Sequence, residues 1–245
     1  MEGVGLSAKF ALMPNCLGHC GTDWFAGLYS MYLRGKVEDW YLKAEMRNFT
    51  AHFEYLRLIA ECNEMRPFDE RVVEAFWIGN ELLESVKKRD LEYLILEGFA
   101  GEEGMSRRRA VRCVKEIPEG VVPHHSFHVL HLGSLSGKFK PTHEHADCCL
   151  VRSGIIRKIK GEVAEVDCWS MRGVKRERMQ SSINGIRSDE KLEKGDVVAV
   201  HWGMMCAKLS EAQERNLIKY TRRNLELLKG KGRSALAVPA YSTTL

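Results

Sequence analysis

Six of the nine histidines in this 245-residue chain fall within one stretch, VVPHHSFHVLHLGSLSGKFKPTHEHADCCL, which ends on two adjacent cysteines. His124, His125, His128, His131, His143 and His145 thus stand ahead of Cys148 and Cys149. Imidazole and thiolate are the ligand types that suit zinc, iron, nickel and copper, so metal binding is the chemistry this clustering implies. The spacing matches no standard zinc module, and a solvent-exposed loop with incidental histidines is the plain alternative. Read as a strand, SFHVLHLG turns His125 and His131 to one face and His124 and His128 to the other, so one ion cannot take all four. His143 and His145, two apart, can share a face and chelate.

Two other places hold candidate ligands. In PNCLGHCGTDWF, Cys16 and Cys20 lie four apart, with Asn15 before them and a helix start expected at Thr22 or Asp23. A thiol at a helix start has its thiolate favoured by unpaired amides and the helix dipole, which makes Asn15, Cys16 and Cys20 candidates for holding a cofactor. A tight loop with two packed thiols is the alternative. In GDVVAVHWG, His201 closes an apolar strand and reads either as a ligand or as a core histidine donating to a backbone carbonyl.

The elements that must position these residues change character along the chain. From about Asp23 to about Lys115 the apolar spacing is helical, with Trp40, Ala44, Phe49, Phe53, Leu56 and Ala60 predicted on one face. Asp69 is placed to cap a second helix, Asp90 a third, and Ser106 to open a short Arg-rich one. Trp77 and Asn80 read as core and interhelical hydrogen bond, and Gly79 inside that helix suggests close packing or a ligand. Beyond Pro118, short β-branched runs divided by glycine predict strands: SFHVLHLG, GIIRKI, EVAEVDCW and DVVAVHW. Ser210 and Gln213 then form an S-x-x-Q box opening a terminal helix. The expected fold is α+β. Residues 1–117 form a helical domain, 118–147 a His-rich β segment, 148–230 a small barrel plus helix, and 231–245 a tail.

Composition narrows the function classes. Charged residues are 29% and hydrophobic ones 44%, ordinary for a globular protein. No apolar run approaches the roughly 20 residues of a membrane span. Lys and Arg number 37 against 33 Asp and Glu. The basic clusters Arg107, Arg108, Arg109, Arg112 and Lys175, Arg176, Arg178 lack interleaved aromatics, so they read as solvated surface rather than a nucleic-acid interface. The start carries no signal-peptide pattern, so the expected location is the cytoplasm, with the eight cysteines as thiols.

The run CLVRSGIIRKIKGEVAEVDCW followed by KGDVVAVHWGMMCAKLSEAQERNL, about residues 148–228, resembles the HypC/HupF family of nickel–iron hydrogenase maturation chaperones. Cys149 and Leu150 fall where that family has its cysteine and leucine, and Gly154 matches its glycine. Gly195, Asp196, Val200, His201 and Gly203 match its strand end, and Ser210, Glu211 and Ala212 its helix start. The resemblance implies a barrel of the OB type. It also implies that Cys149 with His201 holds iron carrying cyanide and carbon monoxide for delivery to a hydrogenase precursor, alongside other maturation proteins. Here Cys149 is internal and Ser153 stands where the family has proline. The resulting expectation is a metal-centre assembly factor handling iron or another transition metal. Two rivals stay open: a self-contained metalloenzyme using the His-rich segment and the Cys16/Cys20 loop, and an interaction module that holds no metal.

Overall fold

A computed structural model describes residues 3–102, 104–133, 143–170, 173–183, 186–187 and 191–229. Helices come first: α1 Gly3–Cys16, α2 Phe25–Leu33, α3 Asp39–Met46, α4 Thr50–Glu61, α5 Glu70–Trp77, α6 Lys88–Tyr93, α7 Arg107–Lys115, the single turn α8 His125–Phe127 and α9 His143–Cys149. Wide π turns extend α6 over Leu94–Phe99 and α8 over His128–Leu132. Strands follow: β1 Arg152–Lys160, β2 Val163–Ser170, β3 Gly173–Gln180, β4 Ser182–Ile183, β5 Ile186–Arg187, β6 Val197–His201 and β7 Met204–Lys208, before α10 Glu211–Lys229. The fold is therefore α+β.

Strands β1-β2-β3-β7-β6 close into a barrel, and β4-β5 make a separate small ribbon. Inside the barrel Ile156, Ala164, Val166, Cys168, Val198, Val200 and Met205 form a core of their own. The opposite face of β6 and β7 behaves differently. Ala199, Met204, Cys206 and Ala207 join the large core built by α1, α4 and α5, so barrel and helices share one apolar interior. At the centre of that interior lies α1, buried on almost every side, as expected of a helix apolar all round.

Helix starts follow side-chain capping. Asp69 accepts from the Arg71 amide at 2.9 Å and Ser106 from the Arg109 amide at 3.3 Å. Ser210 and Gln213 satisfy one another's amides at 3.2 and 3.0 Å, the expected capping box. Asp90 acts from inside α6, accepting from the Lys87 amide at 2.8 Å, rather than standing at the cap itself.

Several sequence expectations are corrected. Helix begins at Gly3, not near Asp23. The single amphipathic helix expected through Trp40 and Ala60 is two, broken between Met46 and Thr50, and Trp40 is 64% exposed. Phe49, Leu56 and Ala60 are buried as expected, but the break resets the phase, so Leu42, Met46, Tyr55 and Ile59 complete the buried face. SFHVLHLG is helical, not a strand: His124 caps it, and Gly133 at φ 68° ends it. Gly79 lies beyond α5, at φ 100°, where an added Cβ would meet the Tyr220 ring at 2.4 Å. The 231–245 tail lies outside the described residues.

Candidate functional site

Antiparallel pairing brings Cys149 to His201. Strand β1 pairs with β6 in a register that sets Arg152 opposite Val200, so each step back along β1 advances one step along β6. The ladder persists past the strand ends, with the Trp202 amide donating to the Cys148 carbonyl at 3.0 Å. Cysteine and histidine that stand 52 positions apart in the chain thereby become neighbours.

His201 is then oriented by a device in α1. Proline has no amide hydrogen, so Pro14 leaves the carbonyl of Phe10, four residues back, without its helical donor. The His201 Nδ1–H donates to that carbonyl at 2.8 Å. This fixes the tautomer and leaves Nε2 with its lone pair, buried and without a hydrogen-bond partner. His201 is thus the carbonyl-bonded core histidine, with Nε2 left as a candidate ligand atom.

His125 is positioned from the other side. Asn224 of α10 is fully buried and clasps the segment ahead of α8, accepting from the Val122 amide at 3.1 Å and donating to the Val122 carbonyl at 3.1 Å and the Ser126 hydroxyl at 3.0 Å. The clasp turns His125 onto Trp77, ring centroids 4.6 Å apart, and edge-on to His201 at 5.1 Å.

Ligand atoms of His125, Cys149 and His201 lie within 4.8 Å of one another. Metal bonds of about 2.0–2.3 Å put the ligand atoms of a tetrahedral ion roughly 3.5 Å apart, so small side-chain rotations close these three around one. Two imidazoles and a thiolate suit zinc, iron and other soft-to-borderline transition metals, and three protein ligands leave one position open. Burial pushes the Cys149 thiol up to about 12, opposed by a hydrogen bond from the Trp202 side chain. Burial lowers His201 to about 4, opposed chiefly by the carbonyl of Phe10, and holds His125 well below its usual range, with neighbouring histidines adding to the effect. Both imidazoles are therefore neutral and ligand-ready near neutral pH. The thiol must lose its proton to the binding event.

The three residues line a cavity of about 260 Å³ between the helices and the β6–β7 turn. Trp77 walls it, with the rings of Phe10, His52, His125 and His201 at 4.9, 5.3, 4.6 and 5.4 Å. At the turn, Trp202 has φ 51° and Gly203 φ 79°, the paired left-handed residues of a type I′ hairpin. A tryptophan there is strained. Its indole packs on His19 at 4.4 Å, beside the site.

Other candidates are placed as follows. His128, His145 and Cys20 line the same cavity. His124 and His131 do not: His124 caps α8 with Nδ1, and His131 bonds the Cys113 carbonyl at 2.9 Å. The His143 side chain lies outside the described residues. Cys16 ends α1 instead of starting a helix, and burial raises its pKa, so the expected thiolate activation is corrected. Asn15 holds the loop, donating to the Cys20 and Thr22 carbonyls at 2.9 and 2.8 Å. His52, absent from the sequence-level candidates, lines the cavity from α4. Its signal is a polar residue on an otherwise apolar helix face.

Fold and site together define an α+β protein with a candidate His/Cys metal centre where a closed barrel meets a helical core. Residues 1–235 match the family described as Family of unknown function (DUF6390), and the chain belongs to that family. No curated protein and no solved structure matches it. Among the described residues no helix is long and apolar enough to cross a membrane.

Proposed function

We propose that this protein holds a transition-metal ion through His125, Cys149 and His201, with one coordination position turned to the cavity, and that it serves in the handling or assembly of a metal centre. The observation that carries this reading is the convergence of the three ligand atoms within 4.8 Å from three separate parts of the chain. The resemblance of residues 148–228 to the HypC/HupF chaperones, and the OB-like reading of the five-stranded barrel, favour iron as the ion and a hydrogenase precursor or maturation protein as the client. Cys149 suits the task chemically, because a thiolate binds such an ion firmly and releases it when protonated.

A second reading, a self-contained metalloenzyme, is favoured by the 260 Å³ cavity beside the ligands, which a pure carrier does not require. Metal analysis and infrared spectroscopy of anaerobically purified protein separate the two. One iron per chain with bands of bound cyanide or carbon monoxide supports assembly; a resident metal without those bands supports the enzyme. Absence of metal, with no uptake of iron, zinc or cobalt on reconstitution, overturns the metal-centre reading in both forms.

A further inference from the structure

We infer that the cavity beside His125, Cys149 and His201 is a binding site for a small uncharged organic molecule, an apolar body of roughly ten non-hydrogen atoms bearing a hydroxyl, carbonyl or amide group. This deepens the metal-centre reading, since the open coordination position would face the same space.

Size sets the first limit. A cavity of about 150 Å³ accepts benzene, so the 260 Å³ here takes an occupant somewhat less than twice as large. The walls set the second. Ala11, Phe49, Ala51, Phe76, Trp77 and Val129 present carbon to the space. Among the described residues no lysine or arginine lines it, and Glu102 is the one carboxylate that does. A carboxylate or phosphate entering would lose its hydration and meet no cationic side chain; an ammonium would fare little better. Uncharged ligands avoid that cost.

Two histidines of the wall, His52 and His128, lie outside the metal set and carry nitrogens without partners. His52 is 6% exposed, its Nε2 is engaged with the Ser7 hydroxyl at 3.0 Å, and its Nδ1 is buried without a partner. His128 likewise has a buried Nδ1 without a partner. Leaving a buried polar atom unpaired costs about 1–3 kcal/mol, so a small ring rotation that brings either nitrogen to a ligand hydroxyl, carbonyl or amide is favoured over contact with an aliphatic group of the same shape.

Benzamide, benzoate and benzamidine share one shape and differ in charge, which makes them the test. Each is titrated into the full-length, metal-free protein, with tryptophan fluorescence and protein NMR shifts as readouts. Benzamide is expected to bind about tenfold tighter than either charged analogue, and Ala51→Phe or Ala146→Leu, which fill the cavity from different helices, to weaken it by a similar factor. Equal or tighter binding of benzoate or benzamidine overturns the inference, as does no binding of benzamide or binding that both filled variants leave unchanged. Metal-free protein is used so that this outcome and the fate of the metal reading are scored separately.

Discussion

At the scale of single residues the site depends on donors that differ in how they are held. His125→Ala, Cys149→Ser and His201→Ala are each expected to weaken metal binding by about a hundredfold or more, while His131→Ala, whose contacts with the Cys113 carbonyl and the Phe127 ring lie away from the cavity, leaves metal stoichiometry unchanged. Metal titration followed by mass spectrometry reads both. Pro14 offers a sharper test, because its effect on stability and its effect on the site run in opposite directions. Pro14→Ala restores an amide four residues after Phe10 and relieves a helix-interior proline, which costs about 3 kcal/mol relative to alanine. The same amide competes with His201 for the Phe10 carbonyl. The expected result is an unchanged or higher Tm with metal affinity lowered about tenfold; an unchanged affinity in a stabilised variant contradicts the proposed role of Pro14. Proton linkage at Cys149 adds a sign. With the thiol raised to about 12 and the two imidazoles already neutral, binding releases one proton, so affinity rises by about tenfold per pH unit between roughly pH 6 and 9.

Elements decide which donors meet, and here local pattern and tertiary context diverge. The β6 strand, its terminal histidine and the cysteine just ahead of β1 follow from β-branched runs and glycines, and antiparallel pairing brings the pair together. His125 was not readable in the same way. SFHVLHLG carries strand-like residues, yet the cap by His124, the Asn224 clasp and the Gly133 terminator make it helical, which turns His125 and His128 toward one cavity and His131 away. Helix α1 is not legible in the sequence because burial on all sides removes the amphipathic period that marks a helix. The β6–β7 turn stores strain that a substitution can release. Asparagine tolerates φ near 51°, so Trp202→Asn is expected to keep the barrel and hold Tm within a few degrees, while unmasking Cys149 to alkylation by iodoacetamide. A large drop in Tm with no gain in reactivity contradicts the view that the indole is there to cover the thiol rather than to hold the hairpin.

Across the whole molecule a bound ion would join α8, the β1 entry and the end of β6, tying helical core to barrel. Saturating metal at about a thousand times Kd stabilises by about 4 kcal/mol, so chelation is expected to lower Tm by several degrees, measurable by calorimetry. Acid acts on the same interior. Burial holds His52 and His124 at about 3 and His128 at about 4, against 6.5 when exposed. Unfolding therefore takes up protons between about pH 6.5 and 3. Stability from these groups is fully present above 6.5 and falls as the pH drops through that window. A Tm flat from pH 7 to about 4.5 contradicts neutral burial of these rings. The central claim, one ion gripped by one sulfur and two nitrogens, is tested most directly by X-ray absorption on the cobalt- or zinc-loaded protein. One sulfur at about 2.3 Å and two imidazole nitrogens at about 2.0 Å are expected, with the sulfur shell lost in Cys149→Ser; a shell of oxygen alone, or sulfur that persists in that variant, contradicts it.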